Sequence, residues 1–299
     1  MELLREAINF FIKDIIKIFF LLTSIVFAVS FIRSYLPPEK IKKILSNKFP
    51  ILGYILAALI GTVTPFCSCS AIPLFIGFIE SGVPLGVTFS YLISAPMVNE
   101  VAAILLFGLF GFKIAAIYII SGVLIAIIVG FILGKLKLEH LVEDYVYKIK
   151  VKQDFSIKLT IKDRLQQSYL YTVDLVKKVF PYIIVGVGLG AFIHGYAPAN
   201  LLVTIANKDN IFAVPIAVLI GVPLYSNAAG TIPIVKALLE KGLPIGTALS
   251  FMMAVTALSL PEMIILRKVL KPKLLFLYVI ILTLGIIFTG YLFNAKISL

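Results

Sequence analysis

Four stretches of this chain stay apolar for longer than a soluble core of its size can hide: 18–31 with its flanks, 114–136, 180–192 with its flanks, and 274–293. A helix needs about 20 mostly apolar residues to cross the hydrocarbon core of a bilayer. Over all 299 residues the chain is 61% hydrophobic and 14% charged, against roughly 45–50% and about 25% in soluble domains. Because the excess sits in these blocks, the expected class is an all-α, polytopic membrane protein. The first block resembles a signal peptide in position only. It is too long, lacks a small-residue cleavage site and has a counterpart further on, so it reads as part of the fold.

That counterpart belongs to an internal repeat. A shift of 160 pairs Ala57, Leu59, Ile60 and Gly61 with Ala217, Leu219, Ile220 and Gly221, and Ile72-Pro73 with Ile232-Pro233. It then pairs Glu80, Gly82, Pro84, Gly86 and Ser90 with Glu240, Gly242, Pro244, Gly246 and Ser250. Apolar composition produces chance matches of Leu and Ile, but it does not put Gly, Pro and Glu in register. One residue of slip extends the match to Phe31-Ile32, Tyr35 and Pro37 against Phe192-Ile193, Tyr196 and Pro198. Each half reads as about five hydrophobic segments: 13–36, 50–62, 71–81, 84–108 and 113–136, then 173–197, 211–223, 231–241, 244–266 and 273–294. Segments of 11–15 residues are too short to cross alone and suit broken or re-entrant helices. The expected organisation is a first membrane repeat at 1–136, a basic linker at 137–172 and a second repeat at 173–299.

Basic residues orient the halves, since Lys and Arg concentrate on the cytoplasmic side. Arg33, Lys40, Lys42, Lys43 and Lys48 follow the first helix, whereas the equivalent loop, 195–210, carries only Lys208. Arg267, Lys268, Lys271 and Lys273 precede the last helix, whereas the loop near Gly111 carries only Lys113. Corresponding loops then lie on opposite faces, the repeats have inverted topology, and both termini of this multi-pass cell-membrane protein lie outside. The net charge of +12 is a consequence of that bias, and no nucleic-acid partner is expected. Within the linker, 146–152 and 156–162 alternate with period two, which fits a small cytoplasmic hairpin or a flexible basic segment against anionic lipid.

Chemistry concentrates where proline breaks the apolar runs. Pro65 and Pro73 bracket Cys67, Ser68, Cys69 and Ser70; Pro223 and Pro233 bracket Tyr225, Ser226, Asn227 and Thr231. Irregular backbone at membrane depth survives only inside protein or beside water, and inverted repeats bring such breaks together at midplane substrate sites. Cys67 and Cys69, the only cysteines, are too close for an unstrained bridge. They serve as soft ligands for a metalloid or cuprous ion, or pack as small apolar residues. A second pair of breaks carries Asn99 and Glu100 in SAPMVNE and Glu262 in SLPE. A carboxylate at membrane depth points to proton coupling, or it caps the helix start beside its proline. Glu80 and Glu240 read as turn caps, and His140 and His194 lie in different regions and make no metal cluster.

The runs TPFCSCSAIP, ESGVPLG, SAPMVNE and GVPLYSNAAGTIPI resemble the predicted-permease family that includes the ArsP organoarsenical efflux permeases, over nearly the whole chain. The resemblance implies export of a small solute, with Cys67 and Cys69 as candidate thiols for a trivalent organoarsenical. Two thiolates suffice for an arsenical that keeps one carbon bond. No Walker motif is present, so a secondary permease without cofactor, in contact with its solute and with lipid, is the leading reading. A channel-like conduit is the first alternative. A cysteine-dependent intramembrane enzyme is the second, and no histidine lies in the breaks to activate its thiol. The inverted topology has a direct test. Accessibility tags at Lys43 and Asn207 label from opposite faces of the membrane, and labelling from one face refutes inversion.

Overall fold

Glycine and proline, rather than polar loops, divide this apolar chain. The computed structural model describes residues 50–63, 68–143, 146, 160–170, 172–173, 176–177, 184, 210, 212–224, 228–240 and 242–296, together with 16, 19–20, 23–24, 27–28 and 30–31. Those residues form helices, and among them no strand occurs beyond one isolated bridge. The first half holds α1 (Pro50–Val63), α2 (Ser68–Glu80), α3 (Leu85–Met97) and α4 (Glu100–Lys135). The second holds α5 (Ala213–Gly221), α6 (Ala228–Glu240), α7 (Ile245–Ala257), α8 (Leu260–Val269) and α9 (Pro272–Lys296). Both limits of α2 and α6, and both limits of α3 and α7, recur at the shift of 160 read from the sequence.

The turn chemistry recurs too. After α2, Gly82 takes φ 76°, its N–H donates to the Ile79 carbonyl (2.9 Å) and the Val83 N–H reaches back to Phe78 (3.0 Å). After α6, Gly242 takes φ 88°, with matching bonds to Leu239 (2.9 Å) and from Leu243 to Leu238 (3.1 Å). This is the Schellman arrangement, whose left-handed position only glycine adopts without strain. Pro84 and Pro244 follow and start α3 and α7 in a new direction.

α3 and α7 are buried along their whole length, and they pack against each other at the centre of the molecule. A helix apolar all round belongs in such an interior. Each is gripped by the long helix of its own half through backbone-close contacts. A Cβ at Gly130 would collide with Ser90 Oγ and the Gly86 carbonyl, and one at Gly290 with Ser250 Oγ. A Cβ at Gly86 or Gly246 would strike the carbonyl of Gly130 or Gly290. Between the halves, α4 packs on α9, α6 on α4, and α2 on α8.

Two helices among the described residues are long and apolar enough to cross a membrane, Ala102–Lys135 and Pro272–Lys296. A third candidate is the pair Ile245–Ala257 and Glu262–Val269, bent by 46°. The segment expected at 84–108 is therefore two helices, interrupted at Val98-Asn99, and α4 runs on through a kink at Gly111 (φ 80°, ψ 171°). The same shift puts the α8–α9 break at Lys271.

After α4 the chain crosses directly to that second-half break. Val142 bridges Leu270, the Glu143 N–H donates to Val269 (2.9 Å) and the Lys271 N–H to Leu141 (2.8 Å). Arg267 pairs with Glu143 at 3.4 Å, and Lys271 Nζ donates to the His140 carbonyl at 3.0 Å. Most of the hairpin expected at 146–152 and 156–162 lies outside the described residues. Its last two positions, Ile161 and Lys162, are helical. Thr160 and Asp163 cap that helix reciprocally: the Asp163 N–H donates to Thr160 Oγ1, and Thr160 donates back to the carboxylate. The side-chain bond above all holds the Asp163 carboxyl below the usual range. The expected first helix, 13–36, and the one at 173–197 lie largely outside the described residues.

The glycine contacts set a stability test. Gly130→Val and Gly290→Val each destabilise the solubilised protein by about 1–3 kcal/mol, the usual cost of overpacking. Gly108→Val, with nothing within 4 Å of its Cβ position, changes stability by no more than about 0.5 kcal/mol. Thermal unfolding followed by size-exclusion chromatography reads both.

Candidate functional site

Proline and polar residues interrupt the chain at two places in each half. At the first, α2 opens with Ser68, Cys69 and Ser70 in its first turn, so these residues are helical rather than on irregular chain as the bracketing prolines implied. Pro73 sits inside the helix instead of ending it. Its absent N–H leaves the Cys69 carbonyl without the donor a regular helix would supply. In the second half, Thr231 lies within α6 and is 1% exposed. The residues just beyond these starts, Ala71, Ile72 and Ile232, are fully buried, so both helices enter the interior at once. Cys67, Tyr225, Ser226 and Asn227 lie outside the described residues. At about 1.5 Å per residue, the 13 residues of α2 or α6 reach about 20 Å, short of the hydrocarbon thickness of about 30 Å.

At the second pair of breaks every predicted residue has a position. Asn99 caps α4, its Oδ1 accepting the Ala102 N–H at 2.7 Å. Glu100 is the first residue of that helix, half-buried, with Oε2 shielded and without a hydrogen-bond partner among the described residues. Glu262 lies in the first turn of α8 and is 1% exposed. Both carboxylates thus sit where the helix macrodipole favours negative charge. Ser259, preceding α8, is likewise 1% exposed, and its Oγ has no hydrogen-bond partner among the described residues. Arg267, the nearest cation to Glu262 in sequence, is turned to Glu143 and the Leu270 carbonyl.

Two tyrosines, which sequence reasoning passed over, join these breaks. Tyr118 of α4 donates to the Met97 carbonyl at the end of α3 (3.0 Å) and lies near Thr256 of α7, whose own hydroxyl donates to the Met252 carbonyl (3.0 Å). Tyr278 of α9 donates to the Ala257 carbonyl at the end of α7 (3.5 Å) and stacks on Phe89 of α3 (5.3 Å between centroids, 26°). All four side chains are buried. The breaks at Met97–Glu100 and Ala257–Glu262 therefore approach one another inside the core, where α3 packs on α7. The signal was present in the sequence: Tyr118 and Tyr278 are themselves separated by the repeat shift of 160.

A cavity of about 640 Å³ opens elsewhere, between Phe19, Thr23 and Phe27 on one side and Thr172, Val176 and Lys177 on the other. It includes none of the predicted site residues. Among the described residues no cluster of three or more His, Cys, Asp or Glu side chains is placed to hold a metal ion.

The chain is similar to a UPF0718 protein of Methanocaldococcus jannaschii, 24% identical over 281 residues that cover 75% of this chain and 77% of that protein. It is also similar to a Streptococcus mutans protein named as a subunit of a two-component membrane permease complex, at 26% over 60% of this chain and 59% of that one. A UPF0718 protein of Bacillus subtilis is 23% identical over 60% of each chain. The latter two relatives are thus matched over less than two thirds of their length. No solved structure matches. The family described as "predicted permease" matches residues 3–295, and with its apolar spans and buried helix breaks this chain belongs to that membrane-permease family.

Proposed function

We propose that the protein is a secondary permease of the cell membrane that exports a small soft solute, a trivalent organoarsenical or related metalloid, through a midplane site between two inverted repeats. The observation that carries this reading is the meeting of two helix breaks in the buried core, where α3 packs on α7 and Tyr118 and Tyr278 donate to the carbonyls that end them. Buried breaks are how helical transporters present polar groups to a solute at membrane depth. The repeats would be 1–136 and 173–299, joined by the basic linker 137–172, with both termini outside. The swapped basic loops support inversion, and the packing of α6 on α4 and of α2 on α8, a reciprocal pair at the repeat shift, supports the duplication.

In this reading the solute lies between Cys67, Ser68, Cys69 and Ser70 and the facing run of Tyr225, Ser226, Asn227 and Thr231. Cys69 belongs to the first turn of α2, where the macrodipole favours the thiolate that a soft metalloid requires. Glu100 and Glu262, one at each second break, exchange protons for solute. Asn99 acts with Glu100 by fixing the start of α4 through its cap.

Two experiments test this reading. Cys67→Ser and Cys69→Ser each weaken uptake of phenylarsine oxide by everted vesicles, and the double variant is little worse than either, because one thiol cannot chelate. Resistance retained by a sensitive host carrying the double variant makes the cysteines packing residues. Glu100→Gln abolishes the pH dependence of transport in reconstituted liposomes while leaving a folded protein. An unchanged pH profile assigns Glu100 to helix initiation alone, and flux without counterflow supports a conduit instead of a carrier.

A further inference from the structure

The cavity of about 640 Å³ lies where the first apolar block meets the joint between the linker and the second half. One wall is Phe19, Thr23 and Phe27, spaced four apart and so on one face of a helix. The other is Thr172, Val173 and Val176, again at helical spacing, with Thr172 and Val176 buried. Neither threonine has a donor to spare. Thr23 Oγ1 donates to the Phe19 carbonyl (2.8 Å) and Thr172 Oγ1 to the Ser168 carbonyl (2.7 Å), and a hydroxyl has only one O–H. Ser24 and Tyr169 are exposed at the rim. Lys177 is the one charge among the described lining residues; it is exposed and forms no ion pair with any described residue.

These walls select their occupant. Water needs about three polar partners to settle in a cavity, and here it would meet rings, methyl groups and hydroxyls whose protons are engaged. A void leaves its lining atoms without contacts, so hydrocarbon is the better filling, and in a bilayer the hydrocarbon at hand is the acyl chain of a lipid. Lipid tails are as apolar as one another and as leucine, so the tail alone confers no preference. Selection falls to the headgroup, and the exposed ammonium of Lys177 favours a negative one.

We propose that this cavity is a binding site for an anionic phospholipid. One acyl chain lies between Phe19 and Phe27 on one side and Val173 and Val176 on the other, and the phosphate lies at Lys177. The lipid thereby fills the gap between the first apolar block and the start of the second repeat. In the proposed topology the linker 137–172 is cytoplasmic, so Lys177, just beyond it, meets the leaflet whose surface is negatively charged. None of the residues proposed for solute binding or coupling lines the cavity, and the lipid site stands or falls apart from that reading.

The chain contains no tryptophan, which gives the test a silent background. Phe27→Trp puts one fluorophore in the cavity wall. Phe288→Trp, at a side chain of α9 that is 65% exposed, puts one on the outer surface. The full-length protein is set in phosphatidylcholine nanodiscs that contain a minor share of brominated lipid, either phosphatidylglycerol or phosphatidylcholine, whose acyl chains quench tryptophan on contact. The cavity fluorophore prefers brominated phosphatidylglycerol by about fivefold, as expected of one lysine near the membrane surface. Lys177→Gln removes that preference and leaves the quenching by phosphatidylcholine. The α9 fluorophore is quenched alike by both lipids, with or without Lys177→Gln. Should Phe27→Trp fail to assemble, Phe19→Trp reports from the same wall. Absent or equal quenching of the cavity fluorophore by the two lipids, or a preference that survives Lys177→Gln, overturns the proposal. So does release of the quenching by phenylarsine oxide, which would make the cavity a solute site.

Discussion

Hydrocarbon cannot satisfy a free amide or carbonyl, and that single constraint organises this molecule. Each interrupted helix leaves orphan carbonyls at one end and orphan N–H groups at the other, and in lipid these must be met by protein. The two buried tyrosines meet the carbonyls that end α3 and α7, and Asn99 meets an N–H at the start of α4. The breaks can therefore exist only where the long helices α4 and α9 deliver those side chains. Burial of α3 and α7, the depth of the carboxylates and the approach of the two halves all follow from that requirement.

Getting the long helices close enough depends on small residues. Without water to squeeze out, helices in a bilayer associate through close packing, and Gly and Ser let backbones approach. Gly86, Gly130 and Ser90 in one half, and Gly246, Gly290 and Ser250 in the other, bring each buried helix against its long partner with no room for a Cβ. The halves differ in this seam where the second carries Asn294 and Thr247. Asn294 stands where the first half has Gly134; its Oδ1 accepts the Gly246 N–H at 2.7 Å and its amide donates to Thr247 at 3.2 Å. An asparagine on α9 thus caps α7, whose own N-cap, Pro244, has no capping side chain.

Much of the fold was legible because the repeat fixes register through Gly and Pro, which respond to backbone geometry rather than to hydrophobicity. Gly82 and Gly242 could be placed because a left-handed turn after a short helix leaves few other residue types available. Helix continuity was harder to read. Ser68–Ser70 looked irregular between two prolines, yet Pro73 lies inside α2, because a proline deep in a packed helix removes one bond without ending the run. The linker's clasp on the α8–α9 break was invisible, since Val142, Glu143 and Leu270 pair across more than a hundred residues with no local signal. At the site, the carboxylates stood out as costly residues in apolar runs. The tyrosines did not, because an aromatic in a membrane helix resembles ordinary core until the carbonyl it serves is known.

Duplication also explains where function has room to arise. A repeat that packs against its own copy imposes the same geometry on both halves, so any side chain present in only one half breaks an otherwise shared arrangement. Most such differences are conservative apolar exchanges. Thr256 against Pro96, and Glu262 against Ala102, are different: they add or remove hydrogen-bonding groups in a fully desolvated interior, where a polar group costs free energy unless it is partnered. The second half carries the buried carboxyl, the bent α7–α8 pair and the linker's clasp at the next break. The two halves are therefore alike in backbone but differ in the polar groups that they bury.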